Sequence, residues 1–174
     1  MFAEYNYNLF PLVIVNFSKN IENDRDFDDF LKKWLELYKN KRDFIFIFDT
    51  TNVGFPPIKY AIRMSMFIKK LRNQTTHYLK KSFIIVRNNN VLRLLNFIFY
   101  LQPPVATVYL TKESKDKIIS YINLNTDINT NSNKDSNKDS NIDHKNNTFS
   151  NNDITKHLKI LSIIKPDKPL LPFL

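Results

Sequence analysis

Residues 44–53 read Phe-Ile-Phe-Ile-Phe-Asp-Thr-Thr-Asn-Val, and the prediction of the fold starts from this stretch. An apolar run without an interrupting charge is typical of a strand that is covered on both faces of a sheet. Similar short runs lie at residues 12–17, 83–86 and 105–109. Residues 3–9 alternate between apolar and polar side chains, which indicates an edge strand that is wet on one face. The sequence therefore predicts four buried strands and one edge strand.

Helical periodicity fills the intervals between the buried strands. Apolar residues recur at helical spacing over residues 27–38, behind Asn23 as a candidate N-cap. Further helices are predicted after Pro57, over residues 90–101 and after Thr111. The order is β-β-α-β-α-β-α-β-α. It predicts a single α/β domain whose mainly parallel sheet has four to five strands and an antiparallel N-terminal edge strand.

Composition divides the chain into three parts. Residues 1–123 carry the strands and helices and are predicted to form the α/β domain. Residues 124–152 are rich in Asn, Asp, Ser and Lys and are predicted to be a disordered spacer, because so few apolar side chains cannot offset the entropy of ordering. Residues 153–174 are apolar again. We expect this last segment to dock on its own domain, on a partner or on a membrane surface.

The inventory of chemical groups excludes most catalytic motifs. The 174 residues include one glycine and no cysteine, so disulfides, Cys-ligated zinc and glycine-rich nucleotide loops are ruled out. The histidines share no metal-ligand spacing, and no nucleophile, base and acid can be assembled. We therefore predict no catalytic residues, no metal and no cofactor. Residues 1–8 are polar and aromatic, unlike the basic and then apolar start of a signal peptide, and no apolar run approaches about 18 residues. We therefore expect a soluble cytoplasmic protein.

The net charge of +9 raises the question of an anionic partner. An A/T-rich codon bias would explain part of the lysine excess, but it does not explain how charge is distributed. From Thr50 to Lys112 there are ten cations and no Asp or Glu, whereas residues 22–29 hold five acids against one arginine. That acidic cluster is typical of a solvated helix terminus, since it lacks the calcium-loop spacing.

The candidate basic surface consists of Lys59, Arg63, Lys70, Lys80, Lys81, Arg87 and Arg93. The first three fall within about 40° of one another at 100° per residue, on one helix face. This pattern predicts either an ordinary solvated face or a surface for an acidic protein or an anionic membrane. Nucleic acid is not predicted, because the aromatic residues of this region occupy core positions of helices and strands.

The strand-end loop that follows residues 44–48 is the second candidate site, and it comprises Asp49, Thr50, Thr51 and Asn52. Open α/β sheets bind ligands at the carboxyl ends of their strands. Asp49 could serve a ligand there or could cap the turn by accepting hydrogen bonds from backbone amides. Thr50 and Thr51 could accept phosphate or could satisfy the backbone.

The order of elements over residues 1–123, together with residues 44–53, resembles the STAS domain of bacterial anti-sigma-factor antagonists. In that family, a serine at the start of the next helix is phosphorylated to switch partner binding. Residues 57–60, Pro-Ile-Lys-Tyr, stand at that position here, so the switch serine is absent. The resemblance implies a non-catalytic regulatory or scaffolding module that acts through protein–protein interaction.

Residues 78–104 are also similar to the CRAL-TRIO lipid-transfer domain. The similarity rests on Tyr78, the apolar run that ends at Asn88, the apolar helix after it, and Pro103 and Pro104; the proline that follows the tyrosine in that family is missing. This second resemblance implies an alternative function as a small lipid-binding protein or a peripheral membrane-binding protein.

Overall fold

The parallel centre of the sheet is formed by β2 (Leu12–Phe17), β3 (Phe44–Asp49), β4 (Leu79–Ile85) and β5 (Thr107–Thr111), in that spatial order. The N-terminal strand β1 (Ala3–Leu9) pairs antiparallel with β2, as the alternating sequence predicts. The structure is a computed structural model that describes residues 1–131 and 151–167, with side chains for 1–124 and 153–167. Within those residues it is one α/β unit with a mixed sheet.

Within residues 1–131 and 151–167, five helices cover the two faces of the sheet. One face packs against α1 (Asp24–Lys39), α2 (Ile58–Arg72) and α3 (Asn89–Leu101). The other face packs against α4 (Lys115–Asn131) and the short α5 (Asn151–His157). Both faces of the central strands are therefore buried, which explains why residues 44–48 are apolar without alternation.

Side-chain caps define the first turns of two helices. The Asn23 side chain accepts a hydrogen bond from the Asp26 amide at 2.9 Å, which confirms the N-cap read from the sequence. Asn88 does the same for the Asn90 amide at 2.8 Å, at the start of α3. Each cap satisfies one of the amides that a helix start leaves without a partner.

A sixth strand, β6 (Ile160–Ile164), corrects the predicted count of four to five strands. It pairs antiparallel with β5 and forms the second edge of the sheet. Ile154, Leu158 and Ile164 are buried in the two cores. Of the three outcomes expected for the C-terminal segment, the described part shows docking on its own domain. The folded unit is therefore not confined to residues 1–123.

The predicted spacer at 124–152 also needs new boundaries. Helix α4 continues to Asn131 and α5 begins at Asn151. Extending an existing helix fixes one residue for each hydrogen bond gained, so a helix can continue beyond its last apolar contact. The remainder of the spacer, residues 132–150, and residues 168–174 lie outside the described residues.

Arg72 fastens the chain that follows β6 to the end of α2. Its Nη1 donates hydrogen bonds to the carbonyl oxygens of Pro104, at 2.9 Å, and Pro166, at 2.8 Å. These two residues lie 62 positions apart in the chain. A single guanidinium group thus connects α2, the approach to β5 and the end of the last strand.

Candidate functional site

An apolar cavity of about 140 Å³ lies between the sheet and helices α1, α2 and α3. Phe30 and Trp34 reach it from α1, Ala61 and Met64 from α2, and Val91 from α3. Strands β2 to β5 supply its floor. Among the described residues that line it, none is an Asp, Glu, Lys, Arg or His. The cavity can therefore hold an apolar group but offers no acid or base.

Aromatic rings form much of the cavity wall. The Trp34 ring lies 5.4 Å from Phe48 and 5.9 Å from Phe30, measured between ring centroids. Phe27 and Tyr60 lie 5.0 Å apart on the same side of the sheet. Such contacts add about 0.5–1.5 kcal/mol each beyond area burial. The wall is held by these ring contacts, so it is a preformed feature of the core.

Few polar groups border the cavity, and the hydroxyl groups of Thr50 and Tyr60 already take part in hydrogen bonds within the protein. The Thr50 hydroxyl donates to the carbonyl of Ile85 at 2.6 Å. Hydrogen bonds from Lys59 and from the Tyr60 hydroxyl hold the pKa of Asp24 below its usual value, so this hydroxyl is directed to the helix surface. Trp34 is 5% exposed, and its Nε1 has no hydrogen-bond partner in the described part of the chain.

Tyr38, one turn further along α1, is buried close to Trp34. Burial raises the pKa of Tyr38 to about 12, while the neighbouring Trp34 side chain and the Leu79 backbone act in the opposite direction. The geometry nevertheless leaves the Tyr38 hydroxyl without a hydrogen bond among the described residues. This phenol therefore stays protonated at neutral pH.

The strand-end loop brings Asp49, Thr50, Thr51 and Asn52 together as the sequence predicts. The Asp49 carboxylate accepts a hydrogen bond from the Thr51 amide at 3.0 Å, so it caps the turn. Both the amide and the hydroxyl of Thr50 donate to the carbonyl of Ile85. Thr51 and Asn52 are exposed. Of the two threonines, only the hydroxyl of Thr51 is therefore accessible from solvent.

The predicted basic stripe on α2 is partly neutralised by the acidic cluster on α1. Lys59 Nζ lies 2.9 Å from Asp24 Oδ1, and Arg63 pairs with both Asp24 and Asp28. The hydrogen bond to Lys59 lowers the pKa of Asp24, and the same bond raises the pKa of Lys59. The two charge clusters that are separate in the sequence thus face each other. Of the cationic stripe, Lys59 and Arg63 are therefore engaged in ion pairs, whereas Lys70 is exposed and has no ion-pair partner among the described residues.

The remaining members of the basic surface do not form one patch. Lys80 pairs with Asp43 at 3.2 Å, whereas Arg87 and Arg93 are exposed. The assignment of Lys81 to the surface is wrong: it is 7% exposed, and burial lowers its pKa to about 8. The register of β3 and β4 shifts just before Lys81, which places its side chain on the α4 face of the sheet, where Phe83 and Ile85 are buried.

Sequence reasoning missed an exposed apolar surface on α2. Ile58, Ile62 and Met66 are 55%, 41% and 65% exposed, and Phe55, just before the helix, is 72% exposed. We call these four residues the α2 outer face. The i, i+4, i+8 spacing could have revealed it, but the stronger arc that begins at Tyr60 faces the core.

Comparison with protein-family models, with curated proteins and with solved structures finds no significant match for this chain. Within the described residues, no helix combines the length and hydropathy needed to cross a membrane. The same part of the chain holds no group of three or more His, Cys, Asp or Glu side chains arranged to bind a metal ion. The function must therefore be argued from the cavity and the surfaces themselves.

Proposed function

We propose that this protein is a non-enzymatic binding module that takes a small apolar ligand into the cavity under α1, α2 and α3. The observation that carries the proposal is the cavity itself, about 140 Å³ of space with an almost wholly apolar lining. Apolar pockets with few polar groups are the usual form of small-molecule sites. This reading develops the lipid-binding alternative that residues 78–104 imply.

The size and lining of the cavity define the class of ligand. An apolar cavity of about 150 Å³ in another protein stays dry and binds benzene. The ligand here is accordingly an uncharged group of that size, such as one ring or the end of a branched or straight hydrocarbon chain. A charged ligand is disfavoured because no described lining residue could compensate its desolvation.

The order of elements supports, in addition, a STAS-like arrangement of residues 1–123. Two N-terminal strands and α1 precede three strand–helix repeats, and residues 57–60 at the start of α2 read Pro-Ile-Lys-Tyr where that family has its switch serine. We infer from this that phosphorylation at the start of α2 does not regulate the protein. The cavity favours ligand binding over a role restricted to protein–protein contact.

Trp34 offers a direct test, because it is the only tryptophan of the chain and it lines the cavity. Bromobenzene should quench its fluorescence saturably, since a bound bromine atom lies against the indole. The charged analogue 4-bromobenzoate should quench only weakly and without saturation. Equal saturable quenching by the two compounds would contradict an apolar site.

A cavity-filling variant provides the matched control. Ala61→Leu places a larger side chain at the cavity wall and should abolish saturable quenching while the circular dichroism spectrum stays unchanged. Val86→Ile enlarges a buried residue outside the lining and should leave quenching unaltered. Retained binding in the Ala61 variant, or loss only in the Val86 variant, would show that the ligand does not occupy this cavity.

A further inference from the structure

We propose that the α2 outer face docks on an anionic membrane surface. Ile58, Ile62 and Met66 form one contiguous strip, since each step of four residues turns a helix by only about 40°, and the exposed Phe55 lies just before the helix. Their exposure is unusual for a helix that also buries a full apolar arc against the sheet. Transfer of the apolar side chains of such a strip from water to the boundary between lipid headgroups and acyl chains is favourable.

Unpaired cations border the strip. Lys69 falls within the angle that Ile58 and Ile62 span, one turn beyond Met66, and Lys70 lies beside it. Both lysines are exposed, and neither has an ion-pair partner among the residues that the structure describes. The sequences of α2 and α3 contain no Asp or Glu. Anionic lipid headgroups complement this charge, and long lysine side chains can reach them while the apolar strip inserts.

The ion pairs on α1 define the border of the docking surface. Lys59 pairs with Asp24 and Arg63 pairs with Asp28, so these two positive charges are balanced within the protein. The unpaired positive charge of α2 is thus concentrated at its C-terminal end. This distribution predicts that Lys69 and Lys70, rather than Lys59 and Arg63, govern the dependence on anionic lipid.

The choice of a membrane over an acidic protein rests on the proposed function. Helix α2 lines the cavity with Ala61 and Met64 on one side and exposes Ile58 and Ile62 on the other. An apolar ligand is concentrated in a bilayer rather than in water. A binding module whose cavity wall lies against the bilayer has access to that ligand.

The test is co-sedimentation of the full chain with phosphatidylcholine vesicles, with and without phosphatidylserine, at low and high salt. We expect binding only to vesicles with phosphatidylserine, weakened by salt. Lys69→Gln with Lys70→Gln should lower the partition coefficient about 25-fold. Ile62→Ser with Met66→Ser should lower it at least about tenfold.

Matched controls use exposed residues elsewhere on the protein. Leu9→Ser with Leu161→Ser changes two apolar residues of comparable exposure in the edge strands. Lys32→Gln with Lys39→Gln removes two exposed charges from α1. Both control variants should bind vesicles like the unaltered protein. Equal losses in test and control variants, or equal binding to neutral vesicles, would overturn the proposal.

Two further measurements separate the other outcomes. A concentration-dependent dimer that disappears in the Ile62 and Met66 variant would make this face an interface between two copies and would overturn membrane docking. Bromobenzene titration of the same variants without vesicles should be unchanged. For the unaltered protein, saturable bromobenzene binding without any vesicle binding would refute the docking surface alone, whereas vesicle binding without bromobenzene binding would refute the proposed ligand site alone.

Discussion

Replacement of Arg72 by methionine should destabilise the protein by about 2–3 kcal/mol. The guanidinium group donates to two carbonyls, at 2.9 and 2.8 Å, and Pro104 is buried. A hydrogen bond to a charged group contributes about 1.5–3 kcal/mol, and partial access of water to Arg72 reduces the sum of two such bonds. Methionine keeps most of the apolar stem, so the change isolates the polar contacts.

Urea unfolding followed by Trp34 fluorescence measures this loss, because Trp34 reports the core of the whole domain. The neighbouring Lys70→Met is the control: it removes an exposed charge that lacks an ion pair in the described structure, and it should change the free energy of unfolding by less than about 0.5 kcal/mol. The Arg72 replacement should also accelerate amide hydrogen exchange more in β6 than in β2. Equal stability of the two variants would show that the hydrogen bonds of Arg72 to Pro104 and Pro166 do not stabilise the protein.

Three further predictions concern the core and the loops. Val91→Ile adds one methylene to the cavity and should raise the free energy of unfolding by up to about 0.8 kcal/mol in urea titration; a decrease would mean that the space is not usable. Thr50→Val should cost about 1–2 kcal/mol by removing a buried donor, against less than about 0.5 kcal/mol for the exposed Thr51→Val, and equal costs would contradict the assignment. The hydrogen bond from Lys117 lowers the pKa of Glu113, so the ionised carboxylate stabilises the fold above its unfolded pKa and this contribution is lost as pH falls through the folded value. Glu113→Gln should therefore flatten the acid side of a stability–pH curve, and an unaltered curve would exclude this contribution.

The sequence predicts the class of fold and most elements because hydrophobic periodicity is a local signal. The Asn23 cap, the edge strand β1 and the helices before residue 124 all follow from neighbouring residues. The sixth strand could not be assigned in the same way. Its sequence is compatible with a strand or a helix, and its pairing with β5 depends on a partner about 50 residues away in the chain.

The candidate sites show the same limit. The Asp49 turn was anticipated because an Asx turn involves residues two positions apart. The pairing of Arg63 with Asp28 and the burial of Lys81 depend on which helix lies beside which strand, and no local pattern contains that information. The cavity is likewise formed by seven separate elements, so only the three-dimensional structure reveals it.

Strand β6 is synthesised after all the other strands of the sheet. At about 5–20 residues per second, the ribosome needs roughly 2–10 s to add the residues between Thr111 and Ile160. During that interval β5 presents unpaired backbone groups on an apolar edge, which other chains could join. A chain cut short after α4 would keep that edge permanently. In the complete fold β6 pairs with this edge, and we expect a chain that ends between α4 and β6 to self-associate more readily than the full chain.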